Sequence, residues 1–252
     1  MNFEPSRPLR ERILVFGGAG SGKSRQGLAI AQRVRAAGRG WYCIDTDDGI
    51  ERLLATEFPD LDIELRHVSR WPAYVEALEE FAQKLRPGDW LHIDLIDYAW
   101  DAAQAHFIHE VYGKGAGEFF LDIRKSAGSP KDAAKAVAQE QMWPVVNKLY
   151  KEWINPIVYE LPCHVYACAT TTTVGDRDDR EVRKLYPSGV RPAGQKHLSH
   201  QFHTIVQFDG NQEKGEWHAT TIRDRGREPM RDERLVNFPV QYLVKRAGWR
   251  AS

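Results

Sequence analysis

The chain has 252 residues, 42% of them apolar and 28% charged, and its 35 Lys+Arg balance its 35 Asp+Glu. Those proportions fit one soluble α/β domain with a sizeable core. They exclude a disordered chain and a whole-surface basic field for nucleic acid, while leaving a local basic patch open.

The elements follow in chain order. Arg12–Phe16 carries the apolar run Ile13-Leu14-Val15-Phe16 and predicts a strand. It leads into Gly17-Gly18-Ala19-Gly20-Ser21-Gly22-Lys23-Ser24, which fits G-x-x-x-x-G-K-[ST]. Arg25–Ala37 reads as the helix that this motif needs behind it, ending near Gly38 and Gly40. Trp41–Ile44 is the second strand, Ile50–Phe58 a short helix and Ile63–Val68 a third strand. Trp71–Leu85 is an amphipathic helix closed by Pro87-Gly88, and Trp90–Ile93 is the next strand. Strands alternating with helices predict a mainly parallel sheet.

From Tyr98 to about Gln139 the pattern is helical, broken at Gly113–Gly117 and Ser126–Pro130, and reads as an insertion at about 98–139 of a single domain spanning 1–252. A long helix or helix pair, interrupted by Pro144 and Pro156, runs on to about Leu161, and His164–Ala169 is a strand. Trp143 and Trp153 in that helix are expected in a core or a subunit interface. Val174–Lys196 is polar and reads as a mobile loop. His203–Phe208 and Trp217–Arg223 are strands joined by an Asp209-Gly210-Asn211 turn. A charged loop from Asp224 to Arg234 and a short helix at Val240–Ala247 end the chain. Cys43, Cys163 and Cys168 are expected to be buried, reduced thiols. No run of 18 apolar residues and no signal-peptide core at Met1–Arg12 is present, so neither a membrane-spanning nor a secreted form is expected.

The chemistry centres on Gly17–Ser24. Glycines let successive N–H groups turn inward around phosphates, and the following helix adds its positive end. Lys23 is expected to reach the β- and γ-phosphates of ATP, the Ser24 hydroxyl to ligate Mg²⁺, and Arg25 to adjoin the nucleotide. Asp94 follows the apolar run Leu91-His92-Ile93, where an acid holding the metal belongs, with Asp97 behind it; the bland alternative is a helix cap. Asp45-Thr46-Asp47-Asp48 ends the second strand, at the edge of a ligand crevice, though Asp47 or Asp48 would equally cap the next helix. Thr170 and Thr171, at the tip of His164–Ala169, are placed to sense the γ-phosphate, or simply favour a strand. Arg223, Arg225 and Arg227 follow the last strand as cis phosphate contacts, fingers into a neighbouring subunit, nucleic-acid contacts or a solvated hairpin.

Taken in order, these residues resemble the RecA-like ATPases, most closely the small ATP-binding proteins of bacteriophages linked to single-strand annealing and recombination. The resemblance rests on Gly17–Ser24, Cys43–Asp47, Leu91–Asp94, Pro192–Lys196 and Arg223–Arg225. It implies a mainly parallel central sheet flanked by helices, with a late β-hairpin. It also implies Mg²⁺-dependent ATP hydrolysis, ATP sites shared between subunits of a homo-oligomer, and action on single-stranded DNA. Asp47 would be the water-activating carboxylate, with Asp where the family usually has Glu, and an arginine such as Arg225 would complete a neighbour's site. A phage protein of this kind works in the host cytoplasm. Two other functions fit the residues: a kinase of a nucleotide or small metabolite, with Arg177, Arg180 and Arg183 on a lid, and a nucleotide-gated assembly or packaging factor with little turnover.

Overall fold

A computed structural model describes residues 10–139, 142–176, 178–211, 216–225 and 234–236. The elements are β1 (Arg12–Gly17), α1 (Lys23–Ala36), β2 (Trp41–Asp45), α2 (Gly49–Thr56), β3 (Glu64–His67), α3 (Trp71–Lys84) and β4 (Trp90–Asp94). There follow α4 (Ile96–Tyr112), α5 (Ala116–Ser126), α6 (Pro130–Gln139), α7 (Met142–Asn155) and a π-helical turn, Pro156–Glu160. Then come β5 (His164–Ala169), β6 (Thr171–Thr173), α8 (Arg180–Leu185), β7 (Val190–Pro192), α9 (Leu198–Gln201), β8 (Thr204–Asn211), β9 (Glu216–Asp224) and β10 (Arg234–Val236).

Eight strands form the main sheet in the order β10-β9-β8-β1-β5-β4-β2-β3. Every pairing from β8 across to β3 is parallel, and β9 and β10 add an antiparallel flank. The central strands are buried on both faces, as a parallel sheet requires. Their alternating side chains feed two cores. Leu14, Phe16, Ile44, Leu91, Ile93, Val165 and Ala167 face α3, α4 and α7. Ile13, Val15, Cys43, Tyr166 and Cys168 face α1 and Ile50 of α2. The mainly parallel, helix-flanked sheet with a late hairpin therefore stands as the sequence implied. All three cysteines are free and buried.

The 98–139 stretch forms α4 to α6, with breaks at the two glycine-bearing segments. Phe107, Ile108 and Phe119 anchor it to the core of the α3 face. Trp153 is buried, and its indole N–H donates to the Tyr74 carbonyl at 3.0 Å. Trp143 is 39% exposed and stacks on Trp100.

Three expectations are corrected. Pro144 does not interrupt the helix: it lies within α7 (Met142–Asn155). Residues 174–196 are not one loop. They contain α8 and β7, and β7 pairs antiparallel with β6. Asp209, Gly210 and Asn211 are not the turn but strand, paired with His218, Trp217 and Glu216, so the two strands run further than their apolar residues suggest. At the start of α2, Asp47 accepts from the N–H of Gly49 at 3.2 Å, as expected of a capping acid, and Asp45 accepts from that of Ile50 at 3.2 Å. The helix expected at Val240–Ala247, and Arg177 and Arg227, lie outside the described residues. Among the described residues no helix is long and apolar enough to cross a membrane.

Candidate nucleotide site

The loop from β1 to α1 is built by close approach and by left-handed backbone. Gly20 and Gly22 sit at φ 72° and 88°, which a side chain disfavours. Gly18, Ala19 and Gly20 are exposed, whereas Ser21 and Lys23 are buried. Lys23 Nζ donates to the carbonyls of Gly17 at 2.9 Å and Gly18 at 3.0 Å, so the ammonium closes the loop on itself. The Tyr166 hydroxyl donates to the Lys23 carbonyl at 3.0 Å, tying the first turn of α1 to β5. The N–H groups that open a helix have no partner within it, so the loop and the start of α1 present donors and positive charge to an anion.

Asp94 stands at the tip of β4 with no exposed surface, and neither carboxylate oxygen has a hydrogen-bond partner among the described residues. Burial pushes its pKa up to about 7, and the charges of Asp47 and Asp45 push the same way. The Ser24 hydroxyl and the Cys168 thiol lie close enough to favour its charged form, without a well-aligned bond. His92 joins them: ligand atoms of His92, Asp94 and Cys168 all lie within 4.8 Å of one another, and burial lowers the His92 pKa to about 3. A buried, unpartnered carboxylate beside a hydroxyl fits a divalent cation, which would restore the charge that burial opposes. The residues present therefore suit the Ser24 and Asp94 ligand pair.

Asp97 is not interchangeable with Asp94. It accepts from the Thr170 backbone N–H at 3.2 Å and also from the Thr170 hydroxyl. Thr170 thus reaches the site through Asp97, with its hydroxyl proton already committed. Ala193 N–H donates to the Thr170 carbonyl at 3.0 Å, and Gly194 packs on Asp97, where an added Cβ would stand 3.0 Å from its Cα. The segment after β7 is in this way fastened to the strand tip.

Asp47 is exposed and accepts from the Gly49 N–H at 3.2 Å. Its charge reaches Asp94 and Tyr98, so it borders the same site. Arg25 is engaged beside the loop: its Nε lies 2.5 Å from Glu57, and its guanidinium stacks over Trp217 at 5.2 Å.

Arg225 is the outlier. Its N–H donates to His203 at 3.0 Å, and its neighbour Asp224 pairs with Thr204, which lies beside Ile13 at the start of β1. The loop leaves β1 from the other end, at Gly17, beside Phe208. Four residues at about 3.3 Å each put roughly 13 Å between the two ends. Arg225 thus stands at the end of the sheet away from the loop of its own chain. Arg223 belongs to the same far end, donating to the Phe202 carbonyl at 2.9 Å and to that of Ser199.

Sequence reasoning missed Gly27, where an added Cβ would meet His92 Cε1 at 2.7 Å and Tyr166 Cε1 at 3.0 Å. The small residue lets α1 lie against β4 and β5, and a glycine inside a predicted helix was the available signal. It also missed the β8–β9 contact with the loop: a Cβ on Gly17 would stand 2.4 Å from the Phe208 carbonyl oxygen.

A family model described as an AAA domain matches residues 10–228. No curated protein matches the chain. Among solved structures, the crystal structure of the RadB recombinase superposes with a TM-score of 0.50 at 14% identity, over 89% of this chain and 86% of that one.

Proposed function

This chain belongs to the AAA domain family, and from that premise we propose that it is a P-loop ATPase of RecA-like type that hydrolyses Mg-ATP to act on single-stranded DNA in recombination or replication of the phage type. The observation that carries the ATP half is Asp94: a carboxylate with no exposed surface and no well-aligned hydrogen-bond partner among the described residues, held next to Ser24 and the phosphate loop. Folding gains nothing from such a group, so a ligand is its reason.

In this reading Gly17–Ser24 wraps the phosphates, and the Lys23 ammonium exchanges the Gly17 and Gly18 carbonyls for phosphate oxygens. Ser24 and Asp94 would hold Mg²⁺, which neutralises charge on the transferring phosphoryl group when bound. Asp47, at the rim, orients or deprotonates the attacking water. Asp97 and Thr170 link the strand tip to the segment after β7. Arg225, too far for its own site, would serve a neighbouring subunit in a homo-oligomer with shared sites.

The DNA half draws on a cleft of about 710 Å³ between α7 and that same segment. Trp100, Lys148, Lys151, Lys196 and His197 line it, the cations for backbone phosphates and the indole for a base. That a recombinase, RadB, has a similar fold supports this reading.

The test measures phosphate release from ATP with and without single-stranded DNA, alongside a panel of small phosphoryl acceptors. DNA-stimulated release is expected. Transfer to an acceptor without free phosphate would make the protein a kinase, and binding without either product would make it a nucleotide-gated assembly factor. Lys23→Ala should abolish turnover. Asp47→Asn should lower turnover with little change in ATP affinity, and unchanged turnover removes Asp47 from the water-activating role.

A further inference from the structure

Trp217 stands on β9 opposite Gly210 of β8. Its ring lies against the turn that opens α1: a Cβ on Gly22 would meet Trp217 Cδ1 at 2.7 Å, Nε1 at 3.0 Å and Cγ at 3.3 Å. Its strand partner touches the same loop, because a Cβ on Gly210 would meet the Gly20 carbonyl oxygen at 2.7 Å and Ser21 Cα at 2.8 Å. The hairpin is thus in backbone contact with the phosphate loop, and the indole fills the corner between them. The Arg25 guanidinium lies over the ring, 5.2 Å from its centroid, and is itself held by Glu57.

The edge of the ring turned to Gly22 is the edge that carries the N–H. That Nε1 is buried and finds no acceptor among the described residues. An indole has only this one polar atom and usually satisfies it when buried. Leaving it unmet costs free energy unless a ligand supplies the acceptor. The loop that it faces gathers backbone donors for an anion, so a phosphate oxygen is the acceptor that fits both features.

We propose that Trp217 belongs to the nucleotide site: its ring splints the loop at Gly22, and its indole N–H donates to a phosphate oxygen of the bound nucleotide. This rests on reading Gly17–Ser24 as the nucleotide site, and it adds a contact from a hairpin outside the phosphate-loop motif.

The experiment measures Mg-ADP and Mg-ATP affinity by calorimetry for the wild-type chain, Trp217→Phe, Trp217→Ala and Lys23→Ala. Trp217→Phe keeps a ring and removes the N–H, so both nucleotides should bind about tenfold more weakly, as for a lost hydrogen bond to a charged acceptor. Trp217→Ala should bind more weakly still. Affinity within twofold of wild type in Trp217→Phe overturns the proposal. Independently of how any variant folds, ¹⁵N spectra of the wild-type chain should show one of the eight tryptophan indole signals moving downfield and exchanging more slowly with solvent when Mg-ADP is added. The absence of such a signal overturns it as well. Wild-type binding that Lys23→Ala abolishes leaves the nucleotide site standing whichever way Trp217 falls; no binding by the wild type removes both.

Discussion

Asp45 and Asp94 stand side by side at the tips of β2 and β4, paired in register and equally buried. Their chemistry diverges. Asp45 accepts from the N–H groups of Ile50 at 3.2 Å and Asp47 at 3.4 Å, and His67 Nδ1 lies 3.7 Å away. Asp94 has no such partners. Burial raises the pKa of both, but the backbone bonds pull Asp45 back. One acid ends a strand and starts a helix; its neighbour is held in a state that folding alone would not select. Position at a strand tip therefore does not separate a structural acid from a functional one, whereas hydrogen-bond satisfaction does.

The largest effect should come from exchanging the two roles. Asp94→Asn should cut ATP turnover by about a hundredfold or more while leaving thermal stability unchanged or higher. Asp45→Asn should lower stability by about 1–2 kcal/mol in denaturant melts and retain substantial turnover. If Asp45→Asn abolishes turnover at full stability, the contrast is inverted.

A second effect is pH-dependent. The Asp94 pKa is about 7 in the fold and lies near 4 in an unfolded chain. Between those values the folded state binds a proton that the unfolded state has lost. The wild-type chain therefore loses stability from this group as pH rises from about 4 to 7, and no more above that. Asp94→Asn has no such loss. Its stability advantage, measured without nucleotide, should grow from pH 4 to pH 7 to a few kcal/mol. A constant difference between the two proteins across that range would show that Asp94 is solvated like an ordinary surface acid.

The half of the molecule holding these acids was largely legible in the sequence. Apolar runs at β1, β2, β4 and β5 are strong because both faces of each strand are buried, and the phosphate loop carries its own spacing. The other half was harder, since its signals are not local. Polarity across 174–196 suggested a loop, yet β6 and β7 satisfy each other's backbone with little apolar help. Asp209-Gly210-Asn211 has turn composition, but Gly210 is there so that the hairpin can touch Gly20 and Ser21. The placement of Arg225 depended on which end of the sheet an antiparallel strand returns to, and composition does not carry that. Trp217 gave no local sign of its neighbourhood with Gly22.

A smaller effect tests how tightly helix and acid are registered. Gly27→Ala would gain intrinsic helix propensity, worth under about 1 kcal/mol. The new methyl would collide with His92 and Tyr166, both fully buried. Overpacking of this kind costs about 1–3 kcal/mol, so a net loss is expected in denaturant unfolding. A stabilised variant would mean that α1 has room to move off β4, and that the burial of Asp94 depends less on this helix.

The smallest effect concerns Arg225, at the far end of the sheet. Its exposed side chain makes Arg225→Ala neutral for stability, within about 0.5 kcal/mol. Nucleotide affinity of a single subunit should also be unchanged, since roughly 13 Å separates that end from the loop. Turnover is where a difference would emerge. If subunits share sites, the wild-type rate per subunit should rise with protein concentration, and Arg225→Ala should flatten that rise without altering affinity. Should Arg225→Ala instead weaken nucleotide binding at concentrations where the protein is monomeric, the two ends of the sheet would be coupled within one chain, and the separation between a binding end and a far end would fail.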